Sequence, residues 1–394
     1  MNTHTVLIAL SILVIFSYLF DLLAKHTKFP SVLLLLGLGV GIRQLTLLFE
    51  IPMPNLLPTA LPALGSVSLI LIVFEGAMGL QFHVSKLKLI FKSFMAALVI
   101  MLLTSFLISL LFFYTTHLSF YACLINAIPY AVISSAIAIP SVSFLTGDKK
   151  EFIVYESSFS DILGIMLFNY TLANPTFSAK SIFVLTSETV MLLLLSVAFC
   201  LLLMYLIGRI THHVKFFLVI SIMILTYSVG KQYHLSTLII VLVFGFFLSN
   251  QHLIKWPLYR RNFQYKNFDQ DFEQLEKLSA ECAFLVRTFF FLLFGFTIDP
   301  SILIDIEMLK YGVSVIVIIF AARFIYLKWI ARMPLSPEVF ITPRGLISVL
   351  LFLSIPKDLT IGPWANGLLI FVVLTSCIAM MWGLISYRKP EIPI

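Results

Sequence analysis

Residues 152–164 read Phe152-Ile-Val-Tyr-Glu156-Ser157-Ser158-Phe159-Ser160-Asp161-Ile-Leu-Gly164. Two carboxylates and three serines crowd into six residues of a run, 152–174, that is otherwise almost wholly apolar. A run of that length is enough for one helix to cross a bilayer. An ionisable side chain at the bilayer centre costs about 2.5–3.5 kcal/mol on insertion scales, so each carboxylate needs a partner or a function. At 3.6 residues per turn, Ser157 and Asp161 are about 40° apart and share a face, whereas Glu156 and Asp161 are about 140° apart. The two acids therefore meet different surroundings, and one can be structural while the other works. Asp161 with the Ser157 hydroxyl makes an oxygen-rich patch suited to a hard cation.

The rest of the chain fits a membrane setting. Of 394 residues, 60% are hydrophobic and 11% charged, against about 25% charged in a soluble domain. Mean hydropathy is +1.04. That composition excludes a soluble enzyme, a secreted module and a disordered regulator. The four cysteines, Cys123, Cys200, Cys282 and Cys377, lie inside apolar runs without CxxC spacing, so neither disulfides nor a zinc site is expected. Residues 5–24 lack a preceding basic residue and a small-residue cleavage site, and read as a retained helix rather than a signal peptide.

Polar breaks divide the chain into thirteen expected spans: 5–24, 30–48, 60–80, 92–114, 120–145, 152–174, 182–208, 215–230, 235–249, 278–298, 309–328, 335–355 and 363–387. Alternate loops together with the C-terminus carry 18 of the 26 Lys and Arg, and the opposite loops carry 4. The remaining four, Arg43, Arg287, Arg323 and Arg344, fall within spans. By the positive-inside rule the N-terminus lies outside and the C-terminus in the cytoplasm, and the net charge of +7 needs no nucleic-acid partner. The longest loop, 250–277, carries Trp256, Tyr259, Arg260 and Arg261, then Phe268, Phe272 and Leu275 at helical spacing, and reads as an amphipathic linker at the interface. His83, His212 and His213 fall in solvated loops. Gly37-Leu-Gly39-Val-Gly41 reads as a close helix-packing surface rather than a phosphate loop.

The pattern repeats within the chain. Gly76 in Phe-Glu-Gly and Gly295 in Phe-Gly-Phe are 219 residues apart, Gly37 and Gly245 are 208 apart, and Ser135 and Arg344 are 209 apart. The last two mark spans with interrupted middles, at Ser134-Ser135 between Pro129 and Pro140 and at Pro343-Arg344-Gly345. Repeat one covers about 5–174, a linking helix 182–208, and repeat two 215–387. The odd linking helix inverts the second copy, and inverted repeats with paired broken helices are the mark of secondary transporters. Among the charges left mid-span, Glu156 is expected to pair with Arg344. Asp21, Arg43, Glu188, Asp299 and Glu338, nearer the span ends, are expected at the interface.

Glu156-Ser157-x-x-Ser160-Asp161 resembles the Glu-Ser-x-x-Asn-Asp signature of the monovalent cation:proton antiporters, NhaP/NHE-like branch. Phe74-Glu75-Gly76, the stretch from Arg287 to Gly295, and Pro343-Arg344-Gly345-Leu346 are similar to further segments of that family, in family order. The chain departs from the pattern twice. Ser134-Ser135 stands where the family carries Thr-Asp, as in the potassium-efflux (CPA2) branch, and Ser160 replaces Asn. The resemblance implies an all-α polytopic fold of the NhaA/NhaP type, with spans 4–6 and 11–13 as a core moving against a dimerisation domain. It implies that Asp161 binds cation and proton in turn, with Ser157, Glu75, Ser160, Ser134 and Ser135 as further site residues and Glu156–Arg344 as a structural ion pair.

The expected activity is exchange of Na⁺ or K⁺ for H⁺ across a bacterial inner membrane by a homodimer, without enzyme chemistry, cofactor or metal beyond the transported ion. Ser160 cannot carry a charge and no acid stands at Ser134-Ser135, which leaves Asp161 as the one clear carrier, with Glu75 as an assisting group, and implies electroneutral 1:1 exchange. The alternatives are a transport-inactive sensor, suggested by the acid missing at Ser134-Ser135, and a membrane-embedded transferase, disfavoured by mid-span acids and short loops.

Overall fold

The computed structural model describes residues 3–27, 30–49, 57–80, 84–142, 145, 147–175, 179–210, 215–232, 237–253, 268–299 and 305–387. Trp256, Tyr259, Arg260, Arg261, His83, His212 and His213 lie outside the described residues, as do the side chains of Asp21 and Glu188.

Every regular element among the described residues is helical: α1 (Thr3–Thr27), α2 (Ser31–Leu48), α3 (Leu57–Met78), α4 (Leu87–Thr116), α5 (Phe120–Ala131), α6 (Ser135–Ser141), α7 (Asp148–Ala173), α8 (Ala179–Arg209), α9 (Lys215–Gln232), α10 (Leu238–Asn250), α11 (Phe268–Thr297), α12 (Ile306–Ile325), α13 (Leu346–Leu353) and α14 (Ala365–Ser386), with short 3-10 turns and one π turn, Tyr326–Ile330, continuing α12. Among the described residues, eight helical segments are long and apolar enough to cross a membrane. The molecule is an all-α polytopic membrane protein, and each of the thirteen expected spans overlaps one of α1–α14, span 120–145 overlapping two, α5 and α6.

Local chemistry sets several helix starts. The Ser119 side chain accepts from the Ala122 amide at 3.3 Å to cap α5, and Asp305 accepts from the Glu307 amide at 2.9 Å to cap α12. Asp148 and Glu151 occupy the first turn of α7, where negative charge complements the exposed amides.

Two expectations change. Phe268, Phe272 and Leu275 open the long helix α11 rather than forming a separate linker. Phe268 and Leu275 are buried, because the apolar stripe packs as part of the span. In span 335–355 only Leu346–Leu353 is α-helical. Its first half is a set of tight turns, with bonds from Val339 N–H to Leu335 O and from Phe340 N–H to Pro337 O. Two prolines in this stretch, Pro337 and Pro343, have no amide to extend a helix ladder.

The chain divides into two compact units. Unit one comprises residues 1–65, 89–165 and 287–394, and unit two comprises 66–88 and 166–286. Unit one therefore gathers spans 4, 5 and 11–13 and most of span 6, together with α1, α2, the start of α3 and the end of α11. Within it, α2 and α11 meet backbone to backbone. A Cβ on Gly39 would lie 2.3 Å from Leu292 O, and one on Gly295 would lie 2.5 Å from Leu36 O. Gly37 and Gly41 face open space, so of the three glycines in that motif only Gly39 serves the expected close packing. Arg43, one turn on, donates to Thr297 O at 2.8 Å and lies 3.4 Å from Asp299. In unit two, Gly245 admits Phe74 and Ala77, the Phe74 and Phe244 rings stack, and Asn250 Nδ2 donates to Leu80 O at 2.7 Å.

Candidate ion-binding site

Unit one holds two helix interruptions that face each other. Between α5 and α6 the backbone is extended at Val132 (φ −75, ψ 128) and Ser134 (φ −79, ψ 114). In an unbroken helix the amides of residues 133, 134 and 135 would bond the carbonyls of 129, 130 and 131. Here Ile133 N–H donates to Ser160 Oγ at 2.9 Å, Ser134 N–H to Pro343 O at 2.9 Å, and Ser135 N–H to Asp161 Oδ2 at 3.1 Å. A buried amide left unpaired is costly, so these substitutes permit the break.

The second interruption, Thr342–Gly345, closes the exchange. Pro343 supplies the carbonyl that takes Ser134 N–H. Arg344 Nε donates to Tyr130 O at 2.6 Å, the carbonyl that Ser134 N–H would have used, and Arg344 Nη1 donates to Thr342 O at 3.0 Å. A guanidinium at the carbonyl end of α5 satisfies exposed carbonyls and complements the negative helix terminus. Arg344 N–H donates to Ser376 Oγ at 3.0 Å on α14, much as Ile133 N–H uses Ser160 on α7. A Cβ on Gly345 would lie 2.6 Å from both Ser134 Oγ and Ile137 Cδ1, so the crossing is tight there.

Asp161, 5% exposed, sits beside this crossing. Its Oδ1 and the Ser134 hydroxyl are buried and have no hydrogen-bond partner among the described residues. Buried oxygens of this kind are available to an ion or a water. Ser157 Oγ donates to Ile153 O at 2.8 Å, one turn back along α7, which leaves its lone pairs unused. Asp161, Ser134, Ser135 and Ser160 are thus brought together. Glu75 is half-buried on α3 in unit two, next to the Phe74–Phe244 stack.

The Glu156 partner corrects the sequence reading. Glu156 pairs with Arg323 of α12, not with Arg344: Arg323 Nη1 and Nη2 each donate to one carboxylate oxygen at 2.8 Å. Arg323 Nε donates to Glu338 O at 2.7 Å. Both side chains are at most 1% exposed. The physical reason lies in the backbone. Arg344 Nε takes the freed Tyr130 carbonyl and its Nη1 turns to Thr342, with Nη2 left without a partner among the described residues, whereas the Arg323 fork, on a helix with no such freed carbonyl beside it, meets both oxygens of the carboxylate. Glu338, expected at the interface, is fully buried. Ser376, Tyr130 and Thr342 were not singled out from sequence. Their part depends on the crossing, although a polar residue opposite an expected break was a usable signal.

Crossed helix interruptions around a buried carboxylate, in an all-helical membrane protein, define a secondary transporter of the broken-helix class. The sodium/hydrogen exchanger transmembrane family matches residues 10–383, and the chain belongs to that family, whose members are transporters and not enzymes. Among solved structures, the sodium proton antiporter MjNhaP1 of Methanocaldococcus jannaschii at pH 8 matches with a TM-score of 0.71 and 20% identity over 98% of this chain and 100% of that one. An electron-microscopy structure of the same antiporter gives 0.68 and 21% over 99% and 100%. At that identity the likeness concerns the fold. No curated protein matches the sequence.

Proposed function

We propose that this protein exchanges Na⁺ or K⁺ for H⁺, with Asp161 carrying cation and proton in turn. The observation behind this reading is the Asp161 carboxylate itself: buried, with one oxygen on the Ser135 amide and the other without a hydrogen-bond partner among the described residues, as is the hydroxyl of Ser134, the residue before Ser135. Burying an ionised carboxylate is costly unless something balances it. A bound monovalent cation and a bound proton are two ways to balance the same group, and they exclude each other. Ser134, next to Ser135 in the chain, is the neutral ligand, and Ser157, one turn before Asp161 on α7, completes the donor set in the loaded state. Ser160 and Ser135 hold the geometry through their backbone and hydroxyl bonds. Glu156 and Arg323 form the structural pair.

Each load leaves the site with the same net charge, so exchange is electroneutral at 1:1. The protein works as a homodimer in a bacterial inner membrane with the N-terminus outside, in line with the Lys and Arg asymmetry. Alternating access moves the core, spans 4–6 and 11–13, against the remaining helices.

Proton flux in everted vesicles, with Na⁺, K⁺ and Li⁺ added in turn, tests the reading. Cation-dependent dissipation of a proton gradient is expected from the parent protein and not from Asp161→Asn. A parent protein that is well inserted yet responds to none of the three ions removes the proposal.

A further inference from the structure

Glu338 has no role in the site described above, yet its carboxylate is fully buried in unit one. Its charged neighbour is Lys149, on the first turn of α7, with Nζ 3.1 Å from Oε1. Lys149 is about a third exposed, donates to Ser336 O at 3.1 Å, and lies 5.0 Å from the centre of the Tyr387 ring at the end of α14. From α12, Arg323 reaches the same residue through its backbone, donating to Glu338 O while its fork holds Glu156. Lys149 and Glu156 are seven residues apart on α7, which puts them about 20° apart on one face. One face of α7 thus grips the segment before the second interruption twice, directly through Lys149 and by way of Arg323.

Five residues after Glu338, the same segment supplies the Pro343 carbonyl to Ser134 N–H and then the Arg344 guanidinium to Tyr130 O. Isolated turn bonds, not a continuous helix ladder, run through this segment, so its position depends on such side-chain anchors. We infer, resting on the reading of Asp161 as the ion carrier, that Glu338 and Lys149 are positioning residues. They pin residues 338–344, and through them set where Ser134 and the opening of α6 stand relative to the Asp161 carboxylate. Neither touches the ion. Their contribution is to cation affinity rather than to the rate of carrying a bound ion.

The experiment uses the full chain in proteoliposomes, with Na⁺ as the exchanged ion and K⁺ in a parallel arm. Glu338→Gln, Lys149→Met, the double variant and Asp161→Asn are compared with the parent for KM, kcat and thermal stability. Glu338→Gln and Lys149→Met are each expected to change KM by about two- to thirty-fold, the range for indirect coupling through a packed network, with kcat within about twofold of the parent. The double variant is expected to be no worse than the stronger single one, because both remove the same anchor. Lys149→Met, at a partly exposed position, keeps the test open if Glu338→Gln does not fold. Parent-like KM in the foldable variants overturns the proposal, as does lowered thermal stability without a KM change, or single effects that multiply in the double variant. Asp161→Asn separates the two readings. Its inactivity beside parent-like Lys149 and Glu338 variants leaves the carrier assignment standing and removes this one. Its full activity removes both.

Discussion

Arg323→Met tests the pairing at the centre of unit one. The substitution removes two 2.8 Å charge-assisted bonds to Glu156 and the 2.7 Å bond to Glu338 O. The Glu156 carboxylate stays 1% exposed and loses its counter-charge. Breaking a buried pair by removing one partner costs about 3–5 kcal/mol. At 1.4 kcal/mol per tenfold, the folded-to-unfolded ratio falls by a factor between about a hundred and a few thousand. Replacing both residues, in Glu156→Met/Arg323→Met, removes the stranded charge together with its partner. Exchanging a buried pair for apolar groups of similar size is often neutral or better, so most of the loss is expected to return. Thermal and denaturant unfolding of purified protein in detergent measures the four corners of this cycle. A parallel cycle on Glu156 and Arg344 is the control. It is expected to show the weaker coupling, because Arg344 spends its donors on the Tyr130 and Thr342 carbonyls. The reasoning fails if Arg323→Met is as stable as the parent, or if Glu156 couples to Arg344 as strongly as to Arg323.

Asp161→Asn is expected to insert and fold normally and to lose cation-dependent proton flux in vesicles; normal flux would take Asp161 out of the cycle. Gly345→Ala places a Cβ 2.6 Å from Ser134 Oγ and should impair exchange, whereas Gly37→Ala, with nothing within 4 Å, should leave transport assays unchanged. Gly39→Val drives a side chain into the Leu292 carbonyl 2.3 Å away, and overpacking of that kind costs about 1–3 kcal/mol, seen as a lower melting temperature. With one carboxylate exchanging one proton for one cation, a clamped membrane potential should drive no net uptake at matched ion gradients. An uncompensated charge would instead feel about 2.3 kcal/mol per 100 mV, and potential-driven uptake would implicate a second moving charge.

Much of the fold was legible along the chain. A span is a local property, since about 20 apolar residues make one wherever they fold. The helix opened by Leu87 and the one closed by Ser386 follow from composition alone. Asp161 was legible for a related reason: a carboxylate in an apolar run is improbable without a use, whatever surrounds it. The interruptions at Ser134-Ser135 and Pro343-Arg344-Gly345 were visible as breaks in otherwise continuous runs.

The partners were not legible. Glu156 had two buried arginines to choose from, and nothing along the chain ranks them. The tertiary structure decides, because the crossing frees the Tyr130 carbonyl for Arg344 and leaves the Arg323 fork for the acid. Glu338 near a span end looked like an interfacial residue, but the turns at 336–340 fold it beneath Lys149. Sequence by itself determined which segments enter the membrane and which charges needed an explanation, since transfer from water to lipid is paid segment by segment. Only the tertiary structure decided which donor meets which acceptor, because that depends on where two breaks more than 200 residues apart cross.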